Sequence, residues 1–168
     1  GVVAKRFRSL DGDLPGALAD VEEARKLEPR NSQNETTEAD LWWERDEWDK
    51  VIASTYRALE LNPAHTYALL RRAAARRHKN DLESALSDLD KALSLEPMSA
   101  DARAGKASAL IAKGDRRAAR LELDGLVQSQ PGEALAWALR AIYFHALTGD
   151  FAAAERDLLS ILEYIARE

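Results

Sequence analysis

The chain has no cysteine, which removes disulfides, thiolate nucleophiles and cysteine metal sites, and leaves the compartment undecided, with the cytoplasm favoured over the periplasm. It also lacks a long apolar run. The longest charge-free stretches, between Glu60 and Arg71 and between Arg140 and Asp150, are far short of the roughly 20 residues that a membrane helix needs. Excess positive charge is missing too: the net charge is −5, so no overall basic field would attract nucleic acid. Glycines occur singly, so no glycine-rich phosphate loop can form, and the serines lack a nucleophile-elbow context. His65, His78 and His145 show no paired metal-ligand spacing. Neither a metal nor another cofactor is expected, and no catalytic residue stands out. No signal peptide is visible. The chain opens at Gly1 and its only methionine is Met98, so a segment of a longer or processed protein is expected. Arginine outnumbers lysine and alanine is abundant, which points to a bacterial source.

Proline is scarce but regular. Pro29, Pro63, Pro97 and Pro131 follow one another at intervals of 34. A similar phrase precedes each: Ala24-Arg25-Lys26-Leu27-Glu28, Ala58-Leu59-Glu60-Leu61-Asn62, Ala92-Leu93-Ser94-Leu95-Glu96 and the weaker Leu126-Val127-Gln128-Ser129-Gln130. Apolar residues three or four apart mark one buried helix face, and proline then stops the helix. Upstream of each proline sits a turn pair: Gly12-Asp13, Asp46-Glu47, Asn80-Asp81 and Gly114-Asp115, with Gly149-Asp150 as a fifth. Glycine and asparagine tolerate the left-handed backbone that ends a helix, and the following acid suits the start of the next. Ala17, Ala85, Ala119 and Ala154 follow at similar offsets, where a small side chain lets paired helices approach closely.

These residues resemble the tetratricopeptide repeat family over essentially the whole chain. The resemblance implies an all-α fold, a right-handed superhelical solenoid of antiparallel helix-turn-helix repeats. It predicts a single domain over 1–168, with a partial unit at 1–31 and full units at 32–65, 66–99, 100–133 and 134–168. Ser32 to Thr37 is a polar run without helical periodicity, and Thr37 and Asp40 have capping-box spacing before Leu41-Trp42-Trp43. A shortened first helix starting near Thr37 is therefore expected in that unit.

Aligned units give a column of cations at Arg72, Lys106 and Arg140, and a column of acids at Asp20, Asp88, Glu122 and Asp157. A half-buried cation needs a partner. The spacing predicts ion pairs within hairpins, Arg72 with Asp88 and Arg140 with Asp157 foremost.

By resemblance, the first helix of each unit lines a concave face that binds a peptide or partner protein. Its inward positions in the unit from Thr66 include Tyr67, Leu70, Arg71, Ala74, Arg77 and His78; Asp101 and Ser108 hold such positions in the next unit. Helical spacing independently puts Tyr67, Arg71, Ala74 and His78 on one stripe. Arg71, Arg76, Arg77, His78 and Lys79 make the helix basic, which favours an acidic segment or a free carboxylate. The chaperone-tail clamp of some relatives is not expected, because its lysine and asparagine positions hold Thr36, Asp40, Arg71, Asp101 and Gly105 here. Trp42 and Trp48 are expected in the core, and Trp43 facing the groove. Leu158, Leu159, Ile161, Leu162, Tyr164 and Ile165 crowd the final helix, so a homo-oligomer through it is a further expectation. The predicted function is a non-enzymatic protein-interaction scaffold. The alternatives are a regulatory or structural segment of a larger enzyme, and a self-associating scaffold. Asn34-Glu35-Thr36 is formally a glycosylation sequon, with no glycan expected.

Overall fold

The computed structural model describes residues 13–129, 138, 140, 141 and 149–165. All secondary structure among them is helical: α1 (Leu14–Leu27), α2 (Ser32–Trp43), α3 (Trp48–Leu61), α4 (Thr66–His78), α5 (Leu82–Leu95), α6 (Ala100–Lys113), α7 (Arg116–Ser129) and α8 (Phe151–Ile165). Ala138, Arg140 and Ala141 are helical as well. The chain forms two compact units, 1–81 carrying α1 to α4 and 82–168 carrying α5 to α8.

Local chemistry explains the helix ends. Asp13 caps α1 by accepting from the Gly16 amide at 3.0 Å, and Pro15 sits in its first turn. α1, α3 and α5 end at Leu27, Leu61 and Leu95, two residues before Pro29, Pro63 and Pro97. The turn residues take the left-handed backbone foreseen for them, with φ of 58° at Asp46, 61° at Asn80, 87° at Gly114 and 69° at Gly149. The acids beside the last two are true caps: Asp115 accepts from the Ala118 amide and Asp150 from the Ala153 amide. Gly12 and Pro131 lie outside the described residues.

One boundary corrects the sequence expectation. α2 starts at Ser32, not near Thr37. Asn31 caps it by accepting from the Gln33 amide at 3.0 Å, and the hydroxyls of Thr36 and Thr37 donate back to the Gln33 carbonyl. Its inward stripe does have helical spacing, at Ser32, Glu35, Thr36 and Ala39, but its members are largely polar. An apolar-periodicity reading could not see it.

In the first unit, Ala39, Val51 and Ala75 are fully buried at the junction of α2, α3 and α4, and Trp42, Trp43, Trp48 and Ile52 pack around them. All three tryptophans are half-buried. A second cluster joins α1 to α2 through Ala17, Val21 and Leu41, flanked by Leu14 and Leu18. In the second unit, Ala107, Leu110, Ala119, Leu123, Ala141, Ala153 and Ala154 form a core over α6, α7 and α8. Ala17, Ala85, Ala119 and Ala154 are all buried, as close helix approach requires.

Candidate peptide-binding face

Because α4 begins directly after the Asn62–His65 turn, its stripe of Tyr67, Arg71, Ala74 and His78 stands beside α2 of the same unit. α2 contributes Asp40 and Trp43 to this meeting. The Tyr67 hydroxyl lies 2.7 and 2.8 Å from the two carboxylate oxygens of Asp40, to which it donates. Arg71 Nε donates to the Tyr67 oxygen at 2.8 Å and forms an ion pair with Asp40 at 2.9 Å. The guanidinium also lies against two rings, 5.0 Å from the centre of Trp43 and 5.1 Å from that of Tyr67. Burial first, then the hydrogen bond to anionic Asp40, pushes the Tyr67 phenol above its ordinary value.

The aromatic group extends from there. Trp43 meets Trp48 edge-on at 4.9 Å and His78 edge-on at 5.5 Å, while His78 stacks on Trp48 at 4.2 Å. Lys79 is paired with Asp49. Arg71 within α4 and Lys79 just after it are thus already balanced by acids of α2 and α3. Arg71 keeps its Nη1 and Nη2 donors without a partner among the described residues.

The structure brings Trp43, Tyr67, Arg71 and His78 together. Leu70, Ala74 and Arg77 are half-buried on the same helix. Asp101, which is exposed, and Ser108, half-buried, lie on α6 of the second unit. Asp40 is the residue that sequence reasoning assigned to another role. Its spacing from Thr37 is that of a helix cap, yet it is mid-helix and orients both Tyr67 and Arg71. Its signal was available, because it holds the same repeat position as Ala74, one period earlier. Asn34, the sequon residue, donates from Nδ2 to the Glu28 carbonyl at 3.1 Å.

Buried charge is organised separately. Arg140 donates from Nε and Nη2 to the two oxygens of Asp157 at 2.8 and 2.7 Å, as the spacing predicts. Its Nη1 reaches Asp124 of α7 at 3.0 Å. Lys106 repeats this arrangement between Glu122 of α7, at 2.8 Å, and Asp90 of α5, at 2.9 Å. Both Arg140 and Lys106 are therefore held by an acid of their own second helix and by one from the second helix before. The Asp157 hydrogen bond raises the Arg140 pKa. Lys106 is raised as well: its burial works in the opposite sense but is outweighed by bonds to Glu122 and Asp90. Arg72 is half-buried in the first unit and Asp88 buried in the second.

Glu38 holds the position of these cations one period before Arg72, with the sign reversed. It pairs with Arg25 from the preceding second helix, α1, and with Arg57 from its own, α3. Glu35 joins them, accepting from Arg25 Nε at 2.7 Å, Arg25 Nη2 at 2.8 Å and Arg57 Nε at 2.8 Å. Burial alone would raise the Glu35 and Glu38 carboxyls, but the arginines bring both below the usual carboxylate range.

No helix among the described residues is long and apolar enough to cross a membrane. Comparison with known proteins agrees with the repeat reading. Residues 77–143 match the family model described as tetratricopeptide repeat. MamA from Desulfovibrio magneticus is 17% identical, with a TM-score of 0.77 over 100% of this chain and 98% of that one. A tetratricopeptide repeat protein from Parabacteroides merdae is 24% identical, with a TM-score of 0.80 over 94% and 61%. YrrB, described as a TPR protein with an unusual peptide-binding site, is 16% identical, with a TM-score of 0.68 over 94% and 80%. Among curated proteins, none matches the sequence. The fold is that of tetratricopeptide repeat proteins.

Proposed function

We propose that this chain, built on the tetratricopeptide repeat fold, is a non-enzymatic interaction module that takes an acidic peptide segment on its first-helix face. The observation that carries the reading is the state of Arg71. Asp40, Tyr67 and Trp43 hold its guanidinium in one orientation, so little side-chain entropy is left to lose on binding. Its two Nη donors have no partner among the described residues and match a carboxylate bidentately. Trp43 and the 38%-exposed Tyr67 supply flat apolar surface beside it, suited to a segment carrying an apolar residue next to its acid. Arg77 adds positive charge on the same helix. The peptide-binding site named for YrrB supports a peptide as the ligand class.

The test is selection of peptides from a displayed random library on the immobilised chain. Enrichment of acidic sequences is expected, with binding lost in Arg71→Glu plus Arg77→Glu and kept in Tyr56→Ser on exposed α3. Selected peptides indifferent to the double variant would refute the reading.

A second reading, self-association through α8, draws support from Leu158 and Leu159, which are 52% and 50% exposed. Light scattering across concentration separates it, because a mass that stays monomeric removes it.

A further inference from the structure

The reversed charge cluster lies on another side of α2 from the proposed binding face and is not used by it. α1 is joined to α2 by the short apolar cluster of Leu14, Ala17, Leu18 and Val21 against Leu41. Beyond Val21 that apolar seam stops, and Leu27 at the end of the helix is 75% exposed. The charged tie on this last turn is Arg25, bonded to Glu35 and Glu38, beside the neutral bond from Asn34 to the Glu28 carbonyl at the helix end.

The surroundings of the two carboxylates are well defined. From α1 they meet Arg25, itself touched by Glu22 at 3.3 Å; from α3 they meet Arg57, which also donates to Ser54 at 3.1 Å. Within α2, the Trp42 indole donates to Glu38 at 3.3 Å. From α4, Arg71 is committed to Asp40 instead. Two anions therefore neutralise two cations that belong to different helices.

We propose that this cluster is an acid-released latch, in which protonation of Glu35 and Glu38 frees α1 while the α2–α3 hairpin stays folded. Neutral carboxyls leave two guanidiniums facing each other with only the exposed Glu22, on α1 itself, beside Arg25. Arg57, with a side chain 43% exposed, can turn into water. Arg25, at 26%, is more enclosed, and moving its helix relieves the repulsion. The hairpin keeps its own apolar junction at Ala39 and Val51, with Trp42, Trp48 and Ile52 around it. The lowered carboxyl pKa values keep the latch closed until the medium is more acidic than an ordinary carboxylate would need.

The absence of cysteine makes a distance measurement simple. Ala19→Cys on α1 and Glu60→Cys on α3, both exposed, would carry nitroxide labels for pulsed electron spin resonance. One short distance is expected at neutral pH, and a second, longer population at about pH 3, below the usual carboxylate values of about 4. Far-ultraviolet circular dichroism should retain most of the helix signal. Glu35→Gln plus Glu38→Gln should show the longer population already at neutral pH. Should that variant fail to fold, Arg25→Met, which removes only the α1 side, should show it at every pH. An unchanged distance in acid overturns the proposal, and so does a change that coincides with loss of all helix.

Discussion

Arg140 and Asp157 of α8 face each other in a two-pronged ion pair, at 2.8 and 2.7 Å, with the carboxylate almost wholly buried. Removing one partner leaves the other charge desolvated. Arg140→Met should therefore destabilise the second unit by about 2–3 kcal/mol, somewhat below the cost for a fully buried pair because the guanidinium keeps some contact with water. Adding Asp157→Asn should recover part of this loss. Urea unfolding midpoints of the wild type and the two variants decide it, and a double variant as weak as the single one would contradict the pairing argument.

Stability should also fall at high pH. Lys106 and Tyr67 both have folded-state pKa values raised above their unfolded ones. Their contribution is complete below the unfolded values, about 10, and is lost as pH rises through the folded ones. Glu35 and Glu38 are lowered, so theirs is present above about pH 4.3 and disappears as pH falls through the folded values. Thermal melts from neutral to alkaline pH should show a loss that Lys106→Met plus Tyr67→Phe makes shallower.

The left-handed turns offer a graded series. Asp46, at φ 58°, carries the strain that a side chain meets there, so Asp46→Gly should raise stability by up to about 1 kcal/mol. Asn80→Gly should gain less, since asparagine tolerates this backbone. Gly114→Ala should cost about 1 kcal/mol through backbone strain alone, because an added Cβ would meet no atom within 4 Å. Calorimetric melting temperatures in the order Asp46→Gly, Asn80→Gly, wild type, Gly114→Ala are expected.

The inner surface of the second unit supplies a further measurement. Leu123 is 1% exposed within the cluster that joins α6, α7 and α8. Leu123→Ala should cost about 2–4 kcal/mol, the range for a cavity left in a packed interior. Leu121→Ala, two residues away and 66% exposed, should change chemical unfolding by less than about 0.5 kcal/mol.

Most of the repeat architecture was legible because its markers are single residues with strong backbone or packing preferences. Pro63 and Pro97 place helix ends, Gly114 and Asn80 place turns, and Ala85 and Ala119 place close approaches. The pairing of Arg140 with Asp157 was legible for the same reason, since two charges recurred together. The start of α2 was not, because its buried stripe contains Glu35 and Thr36 and carries no apolar rhythm. Glu38 escaped notice although it is in phase with Arg72, Lys106 and Arg140. A column sought by one sign of charge passes over a member of the other sign, even when the spatial arrangement is the same. Asp40 shares its repeat position with the inward-facing Ala74, but its capping-box spacing with Thr37 masks that placement, and its partners Tyr67 and Arg71 belong to the following repeat.

Three of the four tryptophans, Trp42, Trp43 and Trp48, crowd the turn between α2 and α3, and His78 lies flat on one of them. Indole emission is thus an optical gauge weighted toward the first unit. Helix signal in the far ultraviolet counts both units by length. A melt followed by the two probes at once would reveal, with no label added, whether the two parts of the chain lose their order together or in turn.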